Sequence, residues 1–226
     1  MITHFLRLEW KQYFRSSYWQ KSIGIKILMG FFALYFLGIF TLMGIALYPG
    51  LKKFFPEQDP LTVVNQFIFY WVLGDLMMRF FLQKLPVMSV KPLLVLPVKR
   101  NRIVNFVLTK SIVSFFNFLP LFAVVPFGIT LIVKGYDTSM AWTWMGVLFL
   151  FTHIVNQLNF TIDHLLAKTE MSFLPLMLTI GALGALNYYE IISFSGLLAS
   201  AIDAIVNNPL YLLVLALLLV GLYIFK

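Results

Sequence analysis

Residues 83–102 read QKLPVMSVKPLLVLPVKRNR. Lys84, Lys91, Lys99, Arg100 and Arg102 fall in this stretch, Lys110 follows, and no acid accompanies them. On either side lies an apolar segment, Val63–Leu82 before it and Ile112–Val133 after it. Roughly 20 apolar residues in a helix cross a hydrocarbon core of about 30 Å, so both segments are long enough to span. A basic loop between two spans faces the cytoplasm, because an excess of lysine and arginine marks that side. The acid-free run extends from Leu76 to Tyr136, which makes this loop the strongest orienting feature of the chain.

Working outward, 61% of the 226 residues are hydrophobic and only 12% are charged. A soluble domain holds about a quarter charged residues, so the composition is that of a polytopic membrane protein. Four further apolar segments complete a set of six: Ile27–Tyr48, Ala141–Ile162, Phe173–Tyr189 and Pro209–Phe225. The expectation is an all-α membrane protein with six transmembrane helices in one domain over 1–226. Residues 1–20 form an interfacial helix in this reading and 27–226 the six-span bundle. His4, Arg7, Lys11 and Arg15 recur every three or four residues as a polar stripe, with Ile2, Leu6, Trp10 and Tyr13 opposite. Such a helix lies flat at the headgroups, although Glu9 falls on its apolar side. Arg7, Lys11, Arg15, Lys21 and Lys26 place the N-terminus on the cytoplasmic side, and six spans return the other end there. The segment Glu190–Asn208 then lies outside the membrane, as a short re-entrant or interfacial helix before Pro209. The net charge of +8 sits at the ends of apolar segments, which points to topology and away from nucleic acid.

With no cysteine, disulfides, thiolate catalysis and cysteine metal sites are excluded. No Walker-type phosphate loop is present, so any ATP and its Mg belong to another chain. No catalytic residue, metal site or cofactor is expected in this one. Several polar residues do lie within the spans. Asp75 and Arg79 are four apart on one helix face. They read either as an ionisable site at membrane depth or as a structural pair with Arg79 snorkelling to the interface. His153, Asn156, Gln157, Asn159 and Asp163 make the fourth span the most polar, as a translocation lining or as interhelical glue. A membrane enzyme using His153, Asp163 or His164 is a remoter reading. Gly181, Gly184 and Ala185 form a small-residue face for close helix packing, within the chain or across a dimer. Pro120 and Pro126 mark a kink in the third span.

The string PLLVLPVKRNRIV, with Leu96, Pro97, Val98, Lys99, Arg100, Ile103 and Val104, resembles the first cytoplasmic loop of ABC-2-type transporter permeases. FLRLEWKQYFRS (5–16) and MMRFFLQKLPVM (77–88) are similar, more narrowly, to an uncharacterised family of Bacteroidetes membrane proteins related to those permeases. The resemblance implies a permease subunit in a bacterial inner membrane, driven by a separate ABC ATPase subunit. It also implies a second permease half, either a second copy or a continuation, since chains of that family extend beyond the position of Lys226. Lys91–Arg102 would then be the coupling segment that docks on the ATPase. Pro92 and Pro97 would bound its short helix, and Leu93, Leu94 and Leu96 would supply apolar contacts. Lys99, Arg100 and Arg102 would face acidic ATPase residues or anionic lipid headgroups. The alternative is that the cluster only sets topology. The rival to the transporter is a non-transporting anchor or regulatory subunit of a larger membrane complex.

Overall fold

The computed structural model describes residues 11, 23–83, 100–166 and 173–224. Among them nine helices and no strand occur. They are α1 (Ile23–Phe54), α2 (Pro60–Leu82), α3 (Arg100–Ile112), α4 (Phe115–Phe118), α5 (Leu121–Val133), α6 (Thr138–Leu166), α7 (Phe173–Tyr188), α8 (Phe194–Asn207) and α9 (Tyr211–Ile224). The N-terminal amphipathic helix and the segment Lys91–Lys99 lie outside the described residues.

Three helices, α1, α2 and the body of α6, are long and apolar enough to cross a membrane, and α3–α4 with α5 makes a fourth candidate bent by 58°. α7, α8 and α9 are apolar but shorter. The chain is all-helical over the described residues and has the build of a helical membrane protein.

The bend has a local cause. Pro120, which has no N–H to continue the helical ladder, sits at the break between α4 and α5. Pro126, in contrast, sits inside α5, which continues to Val133. α2 begins cleanly because Asp59 caps it, accepting from the Thr62 N–H at 3.1 Å, with Pro60 at the first helical position. Tyr136, between α5 and α6, donates to the other carboxylate oxygen of Asp59 and ties this end of the bundle together. Burial, that hydrogen bond and the nearby Asp59 charge all push the Tyr136 hydroxyl above its usual pKa.

α6 is the central column: α2, α5, α8 and α9 pack on it. Nearer the Tyr136 end the core is apolar, with Leu61 and Ile68 of α2, Leu131 of α5, Trp144 and Leu148 of α6, and Ile202 and Val206 of α8. α8, the short helix expected between Glu190 and Asn208, packs on α2 and α6. Its Ala199, Ile202 and Val206 recur at helical spacing and bury one stripe. α1 packs mainly along α5 and buries only Gly44. A Cβ there would collide with the Ala123 carbonyl, and one at Gly128 with the Met145 side chain. These are the glycines that let helices approach. At Gly181 and Gly184 an added Cβ meets nothing within 4 Å, so among the described residues no helix closes on that face.

Candidate functional site

The half of the bundle nearer Arg100 has a polar core, and Arg79 is at its centre. Its side chain is 0% exposed, so it does not snorkel. Asp75, one turn earlier on α2, accepts from Arg79 Nε at 2.8 Å in a buried ion pair. Nη1 donates to Gln83 Oε1 at 3.0 Å and to Asn117 Oδ1 at 2.7 Å. Nη2 donates to the Phe116 carbonyl at 2.8 Å.

That last bond follows from the sequence. In an unbroken helix the Phe116 carbonyl would accept from the N–H four residues on, but position 120 is proline and offers none. The proline that bends the chain leaves an acceptor without a partner, and the arginine of α2 supplies the donor. The end of α3 is satisfied in the same way. Its last carbonyls have no intrahelical donors. Asn117 Nδ2 reaches back to the Ser111 and Ile112 carbonyls, each at 3.0 Å. A cation near those carbonyls also suits the negative end of the α3 dipole.

From Arg79 the network continues to α6. Gln83 Nε2 donates to Asn156 Oδ1 at 2.6 Å, and Asn156 Nδ2 donates to Ser111 Oγ at 2.9 Å. Ser111 Oγ in turn donates to the Leu108 carbonyl at 2.7 Å. One connected set of bonds therefore joins α2, α3, α4 and α6. The two formal charges cancel, which suits a low-dielectric setting where an unpaired ion is very costly.

Of the residues singled out from sequence, the structure brings Asp75, Arg79 and Asn156 together. His153 turns aside: its Nδ1 lies 2.9 Å from the Phe149 carbonyl of its own helix. Gln157 is buried and Asp163 half-buried, and each has a partner. Asn159 is 0% exposed, yet neither atom of its amide has a hydrogen-bond partner among the described residues. Arg100 and Arg102 lie in the first turn of α3. Gln83, Ser111, Asn117 and Phe116 complete the network and were not singled out as one site. The signal available for them was Pro120, which demands a donor for the Phe116 carbonyl without saying which helix provides it.

Two smaller polar contacts lie elsewhere. Asn65 donates to Asp203 of α8 at 2.7 Å and accepts from Trp144 Nε1 at 2.8 Å. Asn187, at the end of α7, donates to the Tyr70 hydroxyl at 2.6 Å and accepts from the Ser195 N–H at 2.8 Å. It thereby bridges the α7–α8 turn, where Glu190 holds a left-handed φ of 56°. A cleft of about 430 Å³ opens there, lined by Tyr70, Asn187, Tyr188, Glu190, Ser193 and Ser195.

The fold and this site define a class, an all-helical membrane protein with a buried charge-paired network in one half of its bundle. Residues 9–226 match DUF5687, a family of unknown function, and the chain belongs to that family. No curated protein matches it, and no solved structure does.

Proposed function

We propose that this chain is the permease subunit of an ATP-driven transporter of the ABC-2 kind, with six spans in a bacterial inner membrane and both ends of the chain cytoplasmic. The observation that carries the reading is how the basic segment 84–99 is anchored. It leaves α2 directly after Gln83 and re-enters the described fold at Arg100. Gln83 is hydrogen-bonded to both Arg79 and Asn156, and α3 ends in Ser111 of the same network. A force on the segment is therefore delivered at both its ends to one set of buried bonds spanning four helices. That is the mechanical arrangement a coupling segment needs: a partner moves the loop, and the loop moves the bundle.

On this reading a separate ABC ATPase binds ATP and Mg, and Leu93, Leu94 and Leu96 contact it. Lys91, Lys99, Arg100 and Arg102 complement its acidic surface, and Pro92 and Pro97 bound the docking helix. A second permease half completes the path. This chain performs no hydrolysis, and nucleic acid is not a partner.

The test is affinity purification of the full chain in mild detergent. Recovery of an ATPase bearing a Walker motif, lost in the Leu94→Asp/Leu96→Asp double variant, supports the proposal. Retention of that ATPase by the double variant removes the docking assignment. Purification without any ATPase favours the anchoring or regulatory subunit.

A further inference from the structure

Asn159 is the exception in an otherwise satisfied polar core. A buried amide with neither atom bonded loses its hydration without compensation, and most buried polar side chains have a partner. Its position suggests a reason. At about 100° per residue, Thr152, Asn156, Asn159 and Asp163 fall within roughly 60° of one another around α6. They form a polar track that runs from the network towards the Arg100 end. Asn159 lies three residues beyond Asn156, about 4.5 Å further along the axis. Asn156 is where Gln83 now bonds. Gln83 is also the residue at which α2 stops: its N–H still bonds the Arg79 carbonyl at 2.7 Å, but its φ of −99° and ψ of 65° are not helical.

We propose that Asn159 is a second station for Gln83. The side chain of Gln83 steps along α6 from Asn156 to Asn159 when the segment that follows it is displaced. In the present arrangement Gln83 bonds Arg79 and Asn156 while Asn159 has no partner among the described residues. In the shifted one Asn159 gains the bond and Asn156 keeps Ser111, while Arg79 keeps Asp75, Asn117 and the Phe116 carbonyl. The shift gives up the Arg79–Gln83 and Gln83–Asn156 bonds and supplies a partner to an amide that has none among the described residues. Two discrete packings one helical step apart make a switch. The inference holds whatever protein moves the segment, so it survives failure of the ATPase reading.

The test is a sign reversal in a double-mutant cycle, read as the thermal unfolding midpoint of the purified full chain in detergent. In the native background, Asn159→Leu replaces a bare amide by an apolar group of similar size and raises Tm by about 2–4 °C. In an Asn156→Leu background, Asn159 is the acceptor left to Gln83, and the same substitution lowers Tm. Adding Gln83→Leu abolishes the reversal. Where Asn156→Leu does not yield folded protein, Asn156→Ser shortens the side chain out of reach of Gln83 and serves as the second background. An Asn159→Leu effect of the same sign in every background overturns the proposal.

Discussion

The two halves of this bundle are held together in different ways. Nearer Tyr136 the helices interlock through apolar side chains, with the buried amide of Asn65 joining Trp144 to Asp203. Nearer Arg100 the same helices meet through an ion pair and a chain of amides. In lipid, apolar side chains gain little by leaving one oily surface for another, so packing holds the first half. Hydrogen bonds that have no better alternative hold the second. A packed apolar interface resists sliding at every contact. A polar interface exchanges partners in discrete steps. On the reading proposed above, the Tyr136 half is the rigid one and the half from which the basic segment leaves is the one that rearranges.

Breaking the ion pair gives the largest effect. Asp75→Leu strands a buried guanidinium and is expected to destabilise the chain by about 3–5 kcal/mol, measured by denaturant or thermal unfolding in detergent. An effect below about 1 kcal/mol would mean that Arg79 escapes to the interface and that the polar half is wet. Next comes the apolar side. Gly44→Leu drives a side chain into the Ala123 carbonyl and should separate α1 from α5, read as loss of a disulfide between cysteines placed on the two helices of this cysteine-free chain. Gly181→Leu and Gly184→Leu meet open space and should stay within about 0.5 kcal/mol of the native chain as a monomer. A large effect there only in a dimer would give that face to a second copy. Trp144→Phe removes the donor to Asn65 and part of a fully buried ring system, for a loss of roughly 1–3 kcal/mol.

The smallest effect is at Tyr136. Its hydroxyl titrates above the usual value of about 10. The Asp59 contact therefore stabilises fully below that pH and weakens only as pH climbs towards the raised value. Tyr136→Phe should remove the highest-titrating component of the tyrosinate absorbance while leaving stability between pH 6 and pH 9 with no added pH dependence. A stability difference that varies across that neutral window would show that the Asp59 contact is made in some other form.

How much of this was legible beforehand follows the range of each interaction. Apolar length located α1, α2 and α6, since crossing a bilayer is a property of one segment. The i, i+4 rule paired Asp75 with Arg79, and Pro120 marked the bend; both are local. What lay 37 to 138 residues apart was not readable: Arg79 with Phe116, Gln83 with Asn156, Asn65 with Asp203. Periodicity states which face of a helix is polar but not which helix that face will meet. What α8 packs against was unreadable for a related reason. Counting crossings put Glu190–Asn208 outside the membrane, and its serines and Asp203 agreed. Its stripe of Ala199, Ile202 and Val206 buries against the bundle all the same, and Asp203 finds Asn65.

The account turns on the ion pair being one buried neutral unit, and the Asp75→Leu/Arg79→Leu double variant tests that most directly. Replacing both charges by apolar groups strips the Gln83, Asn117 and Phe116 oxygens of their donor, a smaller cost than the stranded ion it removes, so the double variant should unfold later than Asp75→Leu alone. A double variant that unfolds at the same point as the single, or earlier, would contradict a paired, water-free centre in the Arg100 half.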